Sequence, residues 1–259
     1  MSDRDSIRHL RWIMTPTRRW GRRTVFAGLA VLFACTVSAG AEKVALIKID
    51  GAIGPATADY VSRSIAEAEA QNAQCLVIEL NTPGGLLDST QKIVQSFLGS
   101  PLPVVVYVAP TGATATSAGC FITIAASVAA MAPATTIGAA HPVSLGGNPI
   151  GGEEKPDETM KKKLENFSVS YIETIAARRQ RNVEWAKSAV RDSASITATK
   201  ALELKVIDLI APDLPDLLKQ LNGRQVDGKT LNTAGAEVSE IKMSSSEHVF
   251  QQLWRPEVM

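Results

Sequence analysis

Pro103-Val-Val-Val-Tyr-Val-Ala109, followed by Ala113-Thr-Ala-Thr-Ser-Ala-Gly-Cys-Phe-Ile-Thr123, is the stretch on which the fold turns. The first run is apolar and rich in valine, the pattern of a strand buried on both faces. The second is made of small residues and predicts a helix over 115–127. Ser117 therefore sits where a buried strand gives way to a helix. The first N–H groups of a helix lack internal partners and favour developing negative charge. The same small residues also let two backbones pack closely, so this stretch alone leaves a catalytic and a packing reading open.

On either side, strands alternate with amphipathic helices. Val44-Ala-Leu-Ile-Lys-Ile49 and Cys75-Leu-Val-Ile-Glu-Leu80 read as short buried strands. Residues 57–71 and 87–98 have helical apolar spacing. A strand over 128–132, the turn from Pro133, a loop over 146–157 and a long helix over 158–179 follow. Trp185 to Arg191 forms a shorter helix, Thr197 caps another, and 206–210 is a final strand. This alternation predicts an α/β fold with a parallel sheet. From 227 to 259 the chain reads as a polar, mobile tail.

Asn81-Thr-Pro-Gly-Gly85 stands directly after a buried strand. Two glycines there let the main chain take positive φ and turn N–H groups outward towards a ligand. By itself this is also an ordinary tight turn. Together with a serine at the start of the next helix, about thirty residues later, it can build an oxyanion hole beside a nucleophile. Gly85 N–H and Ala118 N–H would face the oxygen formed when Ser117 attacks a carbonyl.

A serine hydroxyl needs a base. Of the three histidines, only His141 lies near the turn that could bring it to the strand ends. Lysine is the other choice, provided that burial lowers its pKa from ~10.4 towards ~7–8. Met160-Lys-Lys-Lys-Leu-Glu-Asn166 offers three lysines fanned at about 100° around a helix. With Leu164, Phe167, Tyr171 and Ile175 as the buried face, Lys162 points away, and Lys161 and Lys163 both flank that face. Periodicity does not choose between them.

Arg18, Arg19, Arg22 and Arg23 precede an uncharged segment, Thr24 to Val37, and small residues ending at Ala41. This is a secretory signal or an uncleaved signal anchor over 1–41, and it places the chain outside the cytoplasm, in the periplasm or its equivalent. The segment holds seven of the 27 basic and two of the 26 acidic residues, so the remainder is slightly acidic. With no basic cluster, a nucleic-acid partner is excluded. Cys75 and Cys120 sit in apolar runs and read as core residues. No His/Cys grouping has metal spacing, so no metal or cofactor is expected.

The chain resembles the NfeD-type membrane-bound serine proteases of the ClpP/crotonase superfamily. The matching stretches are Leu80–Thr90, Pro103–Gly112, Ala115-Thr-Ser-Ala-Gly119, Ala130-Met-Ala-Pro133, Thr136–Val143, Lys163-Leu-Glu-Asn166, Arg181-Asn182, Trp185-Ala186 and Val190-Arg-Asp-Ser193. The resemblance covers about 43–226. It implies a ClpP/crotonase-like spiral of ββα units over 42–226, with Ser117 as nucleophile. By its place in the K-x-x-N pattern, Lys163 becomes the general base, with Gly84 and Gly85 on the oxyanion side.

ClpP peptidases proper use Ser, His and Asp. His141 falls near their histidine, but Ser193 stands at their aspartate position, which favours the Ser–Lys dyad and leaves His141 as the alternative base. The family's usual aspartate in L-D-T-P-G-G is Asn81 here, a change the main chain tolerates. The implied substrate is a hydrophobic segment of a membrane-associated, stomatin-like protein, cleaved by a membrane-associated homo-oligomer, a dimer or larger. A non-catalytic scaffold for membrane-protein assembly and a crotonase-type acyl-CoA enzyme are the alternatives.

Overall fold

The computed structural model describes residues 42–143 and 158–253. The expected signal segment 1–41 and the loop over 146–157 lie outside the described residues. The chain runs through β1 (Lys43–Asp50), α1 (Pro55–Ala70), β2 (Leu76–Asn81) and α2 (Leu87–Leu98). Next come β3 (Val104–Val108), β4 (Thr114–Thr116), α3 (Ala118–Ala125), β5 (Val128–Met131) and β6 (Thr136–Gly138). After the segment 144–157 follow α4 (Glu158–Arg178), α5 (Val183–Arg191), β7 (Ser195–Thr197), α6 (Ala198–Glu203) and β8 (Leu209–Ile210). α7 (Leu214–Leu221), β9 (Gln225–Val226), β10 (Lys229–Thr230), β11 (Glu237–Glu240) and α8 (Ser245–Leu253) complete the described chain.

Side chains alternate across a strand, so the apolar runs supply two faces. Val104, Val106 and Val108 join Ile47, Ile78, Leu80 and Met131 in the larger core, under α1 to α5. Val105 and Tyr107 join Leu46, Val77 and Ala130 in a smaller core, under Leu217, Leu218 and Leu221 of α7. The six strands lie in the order β11-β1-β2-β3-β5-β8, and every pair is parallel. The turns after β1, β2 and β3 therefore open at one edge, where a parallel sheet places its ligands.

The main difference from the sequence reading lies between 113 and 138. The helix expected over 115–127 begins only at Ala118, because Thr114–Thr116 pairs in parallel with Thr136–Gly138. β7 then adds antiparallel to β6 to make a second, three-stranded sheet. Helix propensity in a run of small residues is weak, and this pairing overrides it. The second difference is the stretch from 227. Where a polar, mobile tail is expected, β11 pairs in parallel with β1 and α8 packs on α1. Ladder hydrogen bonds need no apolar side chains, so a polar stretch such as Glu-Val-Ser-Glu can still extend a sheet.

Arg181 at the α4–α5 turn is buried and donates to Asp208 Oδ2 at 2.7 Å, while Asp208 also accepts from Ala129 N–H at 2.7 Å. Burial lowers the pKa of the guanidinium, and the Asp208 carboxylate opposes that shift. Asp208→Ala leaves a buried cation unpaired. We expect a loss of about 3 kcal/mol in unfolding free energy, read as a lower urea midpoint at unchanged slope.

Candidate active site

The turn after β2 is built by one side chain. Thr82 Oγ1 accepts from Gly84 N–H and donates to Gly84 C=O, both at 3.1 Å. Gly84 has φ +134°, a conformation open to glycine. A Cβ on Gly84 would lie 2.8 Å from Ser117 Cβ and 3.2 Å from its Oγ, so the loop and the serine touch here. Gly84 therefore shapes the site through its missing side chain, since its N–H is already taken. Next to it, Ile53 N–H donates to Gly84 C=O at 2.8 Å and Leu86 N–H to Ile53 C=O at 2.9 Å. These two bonds hold Gly85 against the turn that follows β1.

Ser117 caps α3 with φ +53° and ψ −112°, outside the regions an L-residue normally occupies. Its N–H is anchored by Gly138 C=O at 3.1 Å. A strained non-glycine residue held this way costs on the order of 1–3 kcal/mol and is found mostly where function needs the side chain presented. Among the described residues, Ser117 Oγ has no hydrogen-bond partner, and neither does Gly85 N–H or Ala118 N–H. All three residues line one pocket of about 520 Å³. Its other walls are largely apolar, including Ile53, Leu86, Phe121 and Leu164. An unpartnered hydroxyl beside two unpaired amides can attack a carbonyl and hold the resulting oxyanion.

Gly85 is the position where this geometry is least forgiving. A Cβ there would sit 2.1 Å from Ile53 O and 2.5 Å from Ile53 N. Gly85→Ala must break the Ile53 contacts and displace the amide. We expect kcat to fall by about 10²–10³-fold, with a lower Tm. A variant with unchanged kcat would remove Gly85 from the oxyanion site.

The two candidate bases are placed differently. His141 lines the same pocket as Ser117. Its Nδ1 is 2.9 Å from Val190 C=O, and a carbonyl only accepts, so Nδ1 carries a proton and the neutral ring keeps its lone pair on Nε2. A main-chain carbonyl thus occupies the orienting position that a carboxylate would fill in a full triad. Lys163 is exposed on the first turns of α4, in a shallow depression with Glu158, Thr159, Lys162 and Asn166. Lys163 is not among the residues that line the serine pocket, although its neighbour Leu164 and Ser168 are.

The buried face of α4 is Ser168, Val169, Ile172, Ile175 and Ala176. Phe167 is 46% exposed, so the face expected from Leu164, Phe167, Tyr171 and Ile175 is rotated. Phe167 instead stacks on Tyr171, which stacks on Phe121.

Two site features escape the sequence reading. Ile53 braces the glycine loop with its main chain, which no side-chain pattern reveals. Asn81 does more than tolerate its position: Oδ1 accepts from Thr114 N–H at 3.0 Å and Nδ2 donates to Asp50 Oδ1 at 2.9 Å. An aspartate there would set two carboxylates against each other, so the amide matches Asp50. Cys75 and Cys120 are buried and unpaired, and burial pushes both thiols up, Cys75 to about 12. Among the described residues no group of three or more His, Cys, Asp or Glu side chains could hold a metal ion.

The parallel sheet, the smaller sheet behind it and the serine set against a glycine loop define the ClpP-like class of α/β folds. The chain belongs to the NfeD1b N-terminal domain family, whose model matches residues 43–227. It is similar to the membrane-bound protease PH1510 of Pyrococcus horikoshii, 34% identical over 245 residues, which is 92% of this chain and 54% of that protein. The chain spans about half the length of the curated relatives it matches.

Two solved structures of the 1510-N membrane-bound stomatin-specific protease superpose closely. One is a lysine-to-alanine mutant in complex with a substrate peptide, with TM-score 0.73 and 35% identity over 83% of this chain and 98% of that one. The other is a serine-to-alanine mutant, with TM-score 0.71 and 36% identity over 79% and 99%. Among the described residues no helix is long and apolar enough to cross a membrane.

Proposed function

We propose that this chain is a serine endopeptidase that cleaves hydrophobic segments of stomatin-like, membrane-associated proteins. Ser117 Oγ attacks the scissile carbonyl and Lys163 takes its proton. The oxyanion sits between Gly85 N–H and Ala118 N–H. Collapse of the tetrahedral intermediate breaks the C–N bond, the leaving amine takes the proton, and water then hydrolyses the acyl-enzyme through the same steps. The observation that carries the reading is the Ser117 hydroxyl lining an apolar pocket together with the amides of Gly85 and Ala118, all three without a hydrogen-bond partner among the described residues. The relatives support the rest: both a serine and a lysine were replaced in the 1510-N protease, one of them with a substrate peptide bound.

In this reading the first turns of α4 carry Lys163 over the pocket that Leu164 already lines. His141 is the second reading for the base, favoured by its place in the pocket and its oriented Nε2. The protein works outside the cytoplasm as a membrane-associated homo-oligomer, and segment 1–41 is its signal or tether. The test is fluorophosphonate labelling. The folded wild type should form a covalent adduct at Ser117. A folded protein without that adduct is a scaffold rather than a protease.

A further inference from the structure

Gly51 and Gly54 flank a short segment, Ala52-Ile53, that lines the serine pocket. On one side Ile53 is bonded to the glycine loop through Gly84 C=O and Leu86 N–H. On the other side Ala52 C=O lies 3.4 Å from the Thr57 hydroxyl, and its shorter bond comes from the far end of the chain. Gln251 Nε2 donates to Ala52 C=O at 2.6 Å, and Gln251 Oε1 accepts from the buried Thr57 hydroxyl at 2.8 Å. Gln251 lies on α8, which is itself fastened to α1. Arg63 grips Glu247 with two bonds, of 2.7 and 3.0 Å, and donates to Lys242 C=O at 2.9 Å. Tyr60 OH donates to Ile241 C=O at 2.5 Å. A continuous set of hydrogen bonds thus runs from α8 through Ala52 and Ile53 to the loop that carries Gly85.

We propose that Gln251 is a positioning residue for the oxyanion loop: by clamping Ala52 it sets Ile53, and through Ile53 the amide of Gly85. The proposal rests on the reading of Gly85 as an oxyanion donor. It also makes α8 a control point, because anything that lifts α8 from α1 releases the loop while leaving Ser117 in place.

Two substitutions separate this role from general packing. Gln251→Met keeps the length and the apolar stem but loses both hydrogen bonds. Gln251→Glu keeps an acceptor for Thr57 and, at neutral pH, sets a carboxylate against Ala52 C=O. Since the oxyanion forms only in the transition state, both variants should lower kcat by roughly 10-fold or more, with a smaller change in KM because Ala52 and Ile53 also line the pocket. Protection of the Ile53 and Leu86 amides from hydrogen exchange should fall in both. In Gln251→Glu, their amide resonances should return to the wild-type positions as the pH drops below ~4.3, when the carboxyl regains a proton to donate.

Wild-type kcat in both variants, beside an active wild type, overturns the proposal. If the wild type forms no Ser117 adduct, the protease reading has failed instead, and amide exchange decides this one. Lost protection at Ile53 and Leu86 in Gln251→Met upholds the clamp, and unchanged protection overturns it.

Discussion

Replacing Ser117 with alanine is expected to lower kcat on a hydrophobic peptide by at least ~10⁴-fold, because it removes the hydroxyl that attacks the scissile carbonyl. Stability should barely change. The hydroxyl has no hydrogen-bond partner among the described residues, and the strained φ of +53° is the same for alanine as for serine. Ser117→Gly divides the two properties further. Glycine enters this conformation without the Cβ penalty, so it should abolish turnover and yet stabilise the fold by about 1 kcal/mol. In a domain of this size that corresponds to a rise of roughly 2–4 °C in Tm. Scanning calorimetry beside a turnover assay gives both readings. A Ser117→Gly variant less stable than wild type would show that the serine is held by contacts and not strained by them.

Lys163→Ala is expected to lower kcat by about 10²–10⁴-fold with the fold intact, since an exposed side chain can be truncated at little cost in stability. Lys163→Arg should be equally inactive, because a guanidinium cannot give up its proton to act as a base. His141→Ala should change kcat by no more than a few-fold, its effect falling on substrate fit, because the ring lines the pocket. The comparison is sharp because the two residues differ in placement. The structure sets His141 in the pocket and Lys163 outside it. If His141→Ala is dead and Lys163→Ala is active, the base is the histidine, oriented by Val190 C=O in place of a carboxylate. If Lys163→Ala is dead, the exposed lysine side chain reaches the serine during turnover and is the base.

The parts of the site legible in the sequence are those encoded locally. The Val104–Val108 run reads as a doubly buried strand because both faces of it are apolar, and it is buried throughout. The Pro-Gly-Gly turn reads as a close approach because only glycine can take the conformation and leave the space, and Gly84 lies against Ser117. Helix periodicity does less well on α4. Its first turns carry lysines, Met160 and Phe167 on several sides, so the apolar residues do not mark one face, and the buried face is rotated from the expected one. The stretch from 227 is not legible as a strand because strand pairing is a main-chain property, and β11 holds to β1 through the backbone of Glu-Val-Ser-Glu.

By itself the sequence determined the alternation of strands and helices, the two-faced core and the place of Ser117 after the third strand of the main sheet, all of which follow from periodicity and from backbone freedom at single residues. Only the tertiary structure decided which groups meet. Ser117 N–H finds Gly138, His141 finds Val190, 49 residues away, and Ala52 finds Gln251, 199 residues away. A hydrogen bond across such distances depends on how whole elements pack, and one to a carbonyl is indifferent to the acceptor's side chain. No local pattern records it.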